Sequence, residues 1–266
     1  MVEVIRVSDL DAVIQEAHRR FLQVIDDVFS NGGVHGDGVA RIVLTGGGAG
    51  IGLLKELAHS SIDWSKVHVF FGDERNVPVT HPDSNEGQAR EVLLNRIAIP
   101  SSNIHGFHLN GGEMSTHASA YSECINKYAP RGFDLHLLGM GGEGHINSLF
   151  PDSAAIKEDV HLITVVSDSP KPPAQRVSLT LPAVNSSARV WLLVAGAEKA
   201  EAAQHVVNAS PADKWPAAGV HGTKETLLIL DNSAAQLLQS YKTKVWGGEL
   251  RKQLSAPHFG FTCMPE

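Results

Sequence analysis

An acid and a histidine two residues apart, Glu143 and His145, lie in a turn that also holds Gly139, Gly141, Gly142 and Gly144. An imidazole titrates near neutral pH, and a carboxylate beside it orients the ring and fixes its tautomer. The pair therefore has the makings of a general acid or base. The glycines permit positive φ and a close approach of backbone to a ligand. The plain alternative is a glycine-rich turn with a surface histidine, which is a common arrangement.

Other groups at the ends of apolar runs belong to the same question. Thr45-Gly46-Gly47-Gly48-Ala49-Gly50-Ile51-Gly52 stands between a strand and a helix, where backbone N–H groups can cradle an anion. It is not a dinucleotide fingerprint, because Ile51 occupies the last glycine position, and no Gly-Lys-Ser/Thr makes it a P-loop. The other reading is a tight turn. Gly72-Asp73-Glu74-Arg75 places three charges together at a strand end, followed by a long loop through Pro78 and Pro82. Alone, such a run reads as a solvated turn; beside a pocket it is part of a site. Arg176 and Lys199 are ordinary surface charges taken singly, and together they supply two cations for a phosphate. No G-x-S-x-G elbow and no H-E-x-x-H is present. The 14 histidines are scattered, and pairs such as His105/His108 and His59/His68 lack acids at metal spacing.

These groups need a scaffold that brings strand ends together. Phe133 to Leu138 is an apolar run bounded by glycine, the pattern of a buried parallel strand. Ala40–Thr45, Val67–Phe71 and Val190–Ala195 read the same way. Ile104–Leu109, His161–Val166, Arg176–Leu181 and Lys224–Leu230 are further strand candidates. Helices are expected from Ser8-Asp9-Leu10-Asp11 to about Phe29, stopped by Asn31-Gly32-Gly33. Others are expected over 51–59, 85–97, 113–128 and to about Val207, with a final one capped by Asp231. Strands alternating with helices give an α/β fold, a mostly parallel sheet covered by helices on both faces. Ligands of such sheets sit beyond the carboxyl ends of the strands, where the Gly46, Asp73, His145 and Lys199 groups fall, while Arg176 follows the Lys-Pro-Pro loop at the start of its own strand. No repeat or low-complexity tail interrupts the 266 residues, so one domain spanning 1–266 is expected.

Composition narrows the function. The hydrophobic fraction of 42% suits a globular chain with a full core. A net charge of −7 argues against a nucleic-acid partner but not against a small anionic ligand, which needs only a local cationic cluster. No apolar run reaches the ~20 residues of a membrane helix. Cys124 and Cys263 are far apart and in no C-x-x-C, which suits a reducing compartment. Met1 to Arg6 reads as neither signal nor transit peptide, and Cys263 to Glu266 as no organelle address, so a cytoplasmic location is expected.

The combined motifs resemble one family. Thr45 to Gly48, Gly72-Asp73-Glu74-Arg75-x-Val77-Pro78 with Ser84-Asn85, Phe133 to Pro151, Lys171-Pro172-Pro173-x-x-Arg176 to Thr180, and Gly196-x-x-Lys199 look like the 6-phosphogluconolactonases in order and spacing. The resemblance implies a Rossmann-like α/β sandwich shared with glucosamine-6-phosphate deaminases and ribose-5-phosphate isomerases. It implies hydrolysis of 6-phospho-D-glucono-1,5-lactone in the oxidative pentose phosphate pathway, with no metal and no organic cofactor. By the family pattern His145 is the catalytic histidine and Glu143 stands where an acid is usual. Arg75 and Asp73 lie in the Asp-Glu-Arg motif, and Gly46, Gly47, Gly48, Arg176 and Lys199 match phosphate-binding positions. The expected partner is a small sugar-phosphate lactone, with no nucleic acid and no membrane, and the protein is expected to be a monomer. Two departures stand out. Gly144-His145-Ile146-Asn147-Ser148 replaces the usual Gly-His-Thr-Ala-Ser, and its isoleucine is shared with the deaminases, which read Gly-His-Ile-Ala-Phe. Asn147 is thereby a candidate to bind a sugar hydroxyl. Glu143 replaces the commoner Asp and lengthens the arm by one methylene. The alternatives are a glucosamine-6-phosphate deaminase and a non-catalytic sugar-phosphate sensor; Ser148 to Pro151 and Arg75 favour the lactonase.

Overall fold

The computed structural model describes residues 1–238. Cys263 and the chain's last residues lie outside them. In chain order the elements are β1 (Glu3–Val7), α1 (Leu10–Asn31), β2 (Ala40–Leu44), α2 (Gly47–Leu57), β3 (Val67–Phe71), β4 (Asp73–Arg75), α3 (Asn85–Val92), α4 (Ser115–Tyr128), β5 (Leu135–Leu138), β6 (Ile163–Val166), β7 (Arg176–Leu179), α5 (Leu181–Asn185), β8 (Arg189–Val194), α6 (Ala200–Val207) and β9 (Glu225–Asp231).

Six strands form one sheet in the order β1-β9-β8-β5-β2-β3, and every neighbouring pair is parallel. Side chains alternate across it. Leu135, Leu137, Trp191, Leu227 and Ile229 pack with α1, α2 and α4 on one face. Leu138, Val190, Leu192, Leu228 and Leu230 pack with α6 on the other. The sheet is thus covered on both sides, which is why its central strands read as continuous apolar runs. The strand order reverses between β2 and β5. A crevice opens there at the carboxyl ends, bordered by the turns that follow the two strands.

Several boundaries differ from the sequence reading. The cap of α1 is Asp9, whose Oδ1 accepts from the Ala12 N–H at 2.9 Å; Ser8 stands one residue earlier. The helix ends at Gly32 in the left-handed region (φ 94°), the conformation glycine adopts without strain. α2 begins at Gly47, not at 51, so the glycine run is the first turn of the helix rather than a loop before it. Ile104–Leu109 is not a strand. Only Ile104 bridges to Val69, and His108 at φ 56° turns the chain out of extension. Beyond Asp231 the chain runs in turns to 237, although the Asp231 carboxylate does accept from Ala234 N–H, as a cap would. β1 and the short α5 carried too few periodic residues to be read.

The largest difference is a second sheet. β4, β7 and β6 form a small antiparallel sheet in that order. A parallel pair needs a crossover of a dozen or more residues, usually helical. The β6–β7 connection is a short loop holding Pro170, Pro172 and Pro173, so the two strands can only fold back on each other. This sheet stands over the carboxyl end of β3 and carries Asp73, Arg75 and Arg176 toward the crevice.

Candidate active site

The turns after β2, β5 and β8 meet. A Cβ on Gly142 would come within 2.9 Å of the Glu198 carbonyl, and one on Gly46 within 2.7 Å of Asn85 Oδ1. Gly139 N–H donates to Thr45 Oγ1 at 3.3 Å. Bulkier residues would force the turns apart. Gly46 is the N-cap of α2, with no side-chain cap, and Gly47 and Gly48 are exposed, so the first N–H groups of that helix face outward. Lys199 closes the 3₁₀ turn Ala197–Lys199 after β8. Its ammonium makes no hydrogen bond or ion pair among the described residues.

His145 stands on the turn after β5. Gly144 is left-handed (φ 84°), and a Cβ on Gly141 would collide with the imidazole, so glycine at 141 is what lets the ring fold back over its own turn. The ring stacks on Phe150 with centroids 4.5 Å apart, and the Arg176 guanidinium lies 5.8 Å from the same phenyl ring. Nδ1 is 3.1 Å from Glu143 Oε1, but off the line of a hydrogen bond. Glu143 Oε1 is also 3.1 Å from Lys171 Nζ. Burial, acting with the Lys171 charge, outweighs the pull of Glu143 and holds the His145 pKa below its ordinary value. Burial works to raise the Glu143 carboxyl, yet its own backbone N–H, His145 and Lys171 together keep it below the usual range. At neutral pH the pair is therefore a neutral imidazole against a carboxylate.

On β4, side chains alternate. Asp73 accepts from Ser148 Oγ at 2.6 Å and from Asn85 Nδ2 at 3.1 Å, which ties the small sheet to the His145 turn. Arg75 donates from Nη1 to Asn85 Oδ1 and to the Asp83 carbonyl. It is directly opposite Arg176 in the β4–β7 register. Arg176 is buried and anchored to the backbone carbonyls of Lys171, Pro172 and Pro173. Burial lowers its pKa, and the neighbouring Arg75 charge acts in the same direction. Glu74 faces away from this group and accepts from the N–H groups of Arg75, Asn85 and Glu86 and from Ser84 Oγ. Burial pushes its carboxyl up to about 6 against those donors.

Asn147 has a left-handed backbone (φ 46°), and its amide is pressed against Gly72. Its Nδ2 is buried without a hydrogen-bond partner, and so are Arg75 Nε and His145 Nδ1. Glu143, His145, Asp73, Arg75, Arg176 and Asn147 are thus brought together by direct contacts or through Phe150, Ser148 and Gly72. The Gly46 turn joins them through Asn85, and Lys199 lies across the crevice on the turn that abuts Gly142. Sequence reasoning missed the roles of Asn85, Ser148, Phe150 and Lys171. Ser84-Asn85 carried a helix-cap signal that could have found the first of these; nothing in the sequence pairs Lys171 with Glu143. Among the described residues no three His, Cys, Asp or Glu side chains are grouped as metal ligands, and no helix is long and apolar enough to cross a membrane.

The family model for glucosamine-6-phosphate isomerases/6-phosphogluconolactonase matches residues 8–229. A 6-phosphogluconolactonase of Mycobacterium tuberculosis is 44% identical over 243 residues, covering 87% of this chain and 96% of that protein. One of Mycobacterium leprae is 47% identical over 207 residues, covering 74% and 84%. The crystal structure of a 6-phosphogluconolactonase from Thermotoga maritima superposes with a TM-score of 0.78 at 26% identity, covering 87% of this chain and all of that one. A monomeric glucosamine-6-phosphate deaminase, at 19% identity and a TM-score of 0.74, shares the fold.

Proposed function

The chain belongs to the glucosamine-6-phosphate isomerase/6-phosphogluconolactonase family, and we propose that it hydrolyses 6-phospho-D-glucono-1,5-lactone to 6-phosphogluconate. The observation that carries the reading is a partly buried imidazole, His145, held below its ordinary pKa, with a carboxylate at Nδ1 and with Phe150 and Arg176 packed beside it. A carboxylate at Nδ1 favours the proton on that nitrogen and leaves the Nε2 lone pair free to take a proton from water.

A lactone is an activated ester, so no covalent nucleophile is required. Water attacks C1 as His145 removes its proton, and the imidazolium then protonates the ring oxygen as the C1–O bond breaks. Such acid–base assistance is worth ~10²–10⁴ in rate. Arg75 stabilises the negative charge that develops on the carbonyl oxygen. Asp73 holds Asn85, and through it Arg75, in place. Asn147 donates its free Nδ2 to a sugar hydroxyl. Arg176, Lys199 and the N–H groups of the Gly46–Gly48 turn bind the phosphate, remote from C1, and so orient the ring. The protein acts as one domain and as a cytoplasmic monomer, with no nucleic-acid or membrane partner.

The test generates the lactone in situ and follows its loss against the spontaneous rate, with EDTA present. Acceleration that disappears in His145→Ala supports the reading. No acceleration, with ammonia released from glucosamine 6-phosphate instead, replaces it with deamination.

A further inference from the structure

We infer that Glu74 is a positioning residue for this reaction: its buried carboxylate fixes the first turn of α3, and through Asn85 it sets where Arg75 and Asp73 present their polar groups. The inference rests on the hydrolytic reading above and extends it to a residue that does not face the crevice. Alternation along β4 sends Glu74 to the side opposite Asp73 and Arg75. There it lines a separate cleft with Val77, Ser84, Glu86, Arg90 and His108.

Glu74 is 4% exposed, and both oxygens are filled. Oε1 accepts from Arg75 N–H at 2.9 Å and from Asn85 N–H at 2.8 Å, and Oε2 accepts from Ser84 Oγ and Glu86 N–H, each at 3.0 Å. One carboxylate thus joins the backbone of β4 to the amino end of α3, where a negative charge is also favoured by the helix dipole. The residue so fixed, Asn85, is the link in the site. Its Oδ1 receives Arg75 Nη1 at 3.0 Å, and its Nδ2 donates to the Asp73 carboxylate at 3.1 Å and to the Asp73 carbonyl at 3.0 Å. Of the two buried carboxylates that hold the start of α3, Asp73 reaches only the Asn85 side chain, whereas Glu74 takes the backbone N–H groups of Asn85 and Glu86. Glutamine has the same shape, but its amide nitrogen cannot accept a hydrogen bond. Two of the four donors then lose their acceptor, and the first turn of α3 shifts.

The experiment measures kcat and KM for lactone hydrolysis in Glu74→Gln, Asn85→Ala and the double variant, with thermal unfolding of each. A misplacement near 1 Å costs up to ~10²-fold in rate, so Glu74→Gln is expected to lower kcat by tens of fold, with KM less affected. Because Glu74 acts through Asn85, the double variant should be little slower than the worse single one. A purely structural role would lower thermal stability and leave kcat per folded molecule unchanged. Wild-type kcat in Glu74→Gln, or full additivity in the double variant, overturns the inference. Should Glu74→Gln not fold, Glu74→Asp keeps the charge but withdraws it by one methylene from the Asn85 and Glu86 N–H groups, and it is expected to lower kcat by a smaller factor; wild-type kcat overturns the inference. If the wild-type protein does not hydrolyse the lactone, the functional reading fails, and a crystal structure of Glu74→Gln decides the positioning separately. Asn85 still bonded to both Arg75 and Asp73 refutes it, and loss of those contacts upholds it.

Discussion

His136 lies at the centre of the sheet and gives the chain a built-in acid sensitivity. It is fully buried on β5, between Val43 of β2 and Val190 of β8, with the Phe133 ring nearly perpendicular to it at 6.0 Å between centroids. Neither ring nitrogen has a hydrogen-bond partner, and burial drives its pKa down to about 3. In the unfolded chain an exposed histidine titrates near 6.5. The folded pKa is the lower one, so between the two values the unfolded state binds more protons and stability falls as pH falls. From pH 7.5 to pH 5 this single group removes about 2 kcal/mol, and the loss continues toward pH 3. Glu74 opposes it in part, because its raised pKa makes the folded state bind the extra proton between about 4.5 and 6. The perturbation is His136→Leu, which removes both unpaired nitrogens at similar volume. Each unpaired buried polar atom costs on the order of 1 kcal/mol or more, so the variant should be more stable at pH 7.5, and the gap should widen by about 2 kcal/mol at pH 5. The assay is urea unfolding of both proteins across pH 5–7.5. Parallel stability curves, or a variant that gains nothing at low pH, would refute the reasoning.

His145→Ala should lower kcat by ~10²–10⁴ with a modest change in KM, as measured by steady-state lactone hydrolysis. Lys199→Ala should raise KM with little effect on kcat or thermal stability, because its ammonium holds nothing else among the described residues. Arg176→Ala should raise KM as well, and it should also lower the unfolding temperature, because the lost guanidinium caps the carbonyls of Lys171, Pro172 and Pro173. An unchanged KM in both cation variants would remove them from the phosphate site.

The sequence exposed those parts of the molecule whose causes are local. β2, β3, β5, β8 and β9 are apolar runs with turn residues behind them, and burial on both faces leaves that mark directly. The alternation of strands and helices then implied the sheet and the end at which its ligand would sit. The second sheet was hidden because β4 is three charged residues, Asp73 to Arg75, whose pairing is decided by β7 a hundred residues later. The glycines at 46–48 looked like a loop because propensity argues against glycine in a helix; Gly46 is in fact the N-cap of α2, and Gly47, at φ 79°, opens its first turn in a conformation that glycine adopts without strain. In the site, His145 and Glu143 were legible because they are neighbours in the chain. Lys171, Asn85 and Ser148 reach the site by the tertiary fold, and no periodicity or spacing rule connects Ser148 to Asp73.

The Glu143 arm shows what such a long-range contact does to the chemistry. In an isolated acid–imidazole pair the carboxyl pKa falls and the imidazole pKa rises. Here both fall. Burial of His145 is the chief cause, and Lys171 adds to it while sharing the same carboxylate oxygen at 3.1 Å. The ring is therefore ready to act as a base at a pH where a freely paired histidine would be partly protonated. Lys171→Ala removes a positive charge that disfavours the imidazolium, so the His145 pKa rises and the acid limb of kcat/KM moves to higher pH. Glu143→Gln removes the favourable charge, and the limb moves to lower pH. The phosphate of the substrate also titrates near 6, but identically for each enzyme, so the difference between profiles belongs to the protein. Profiles of kcat/KM from pH 5 to 8 decide the matter: limbs that shift in the same direction, or not at all, would mean that His145 is not the group whose ionisation governs the reaction.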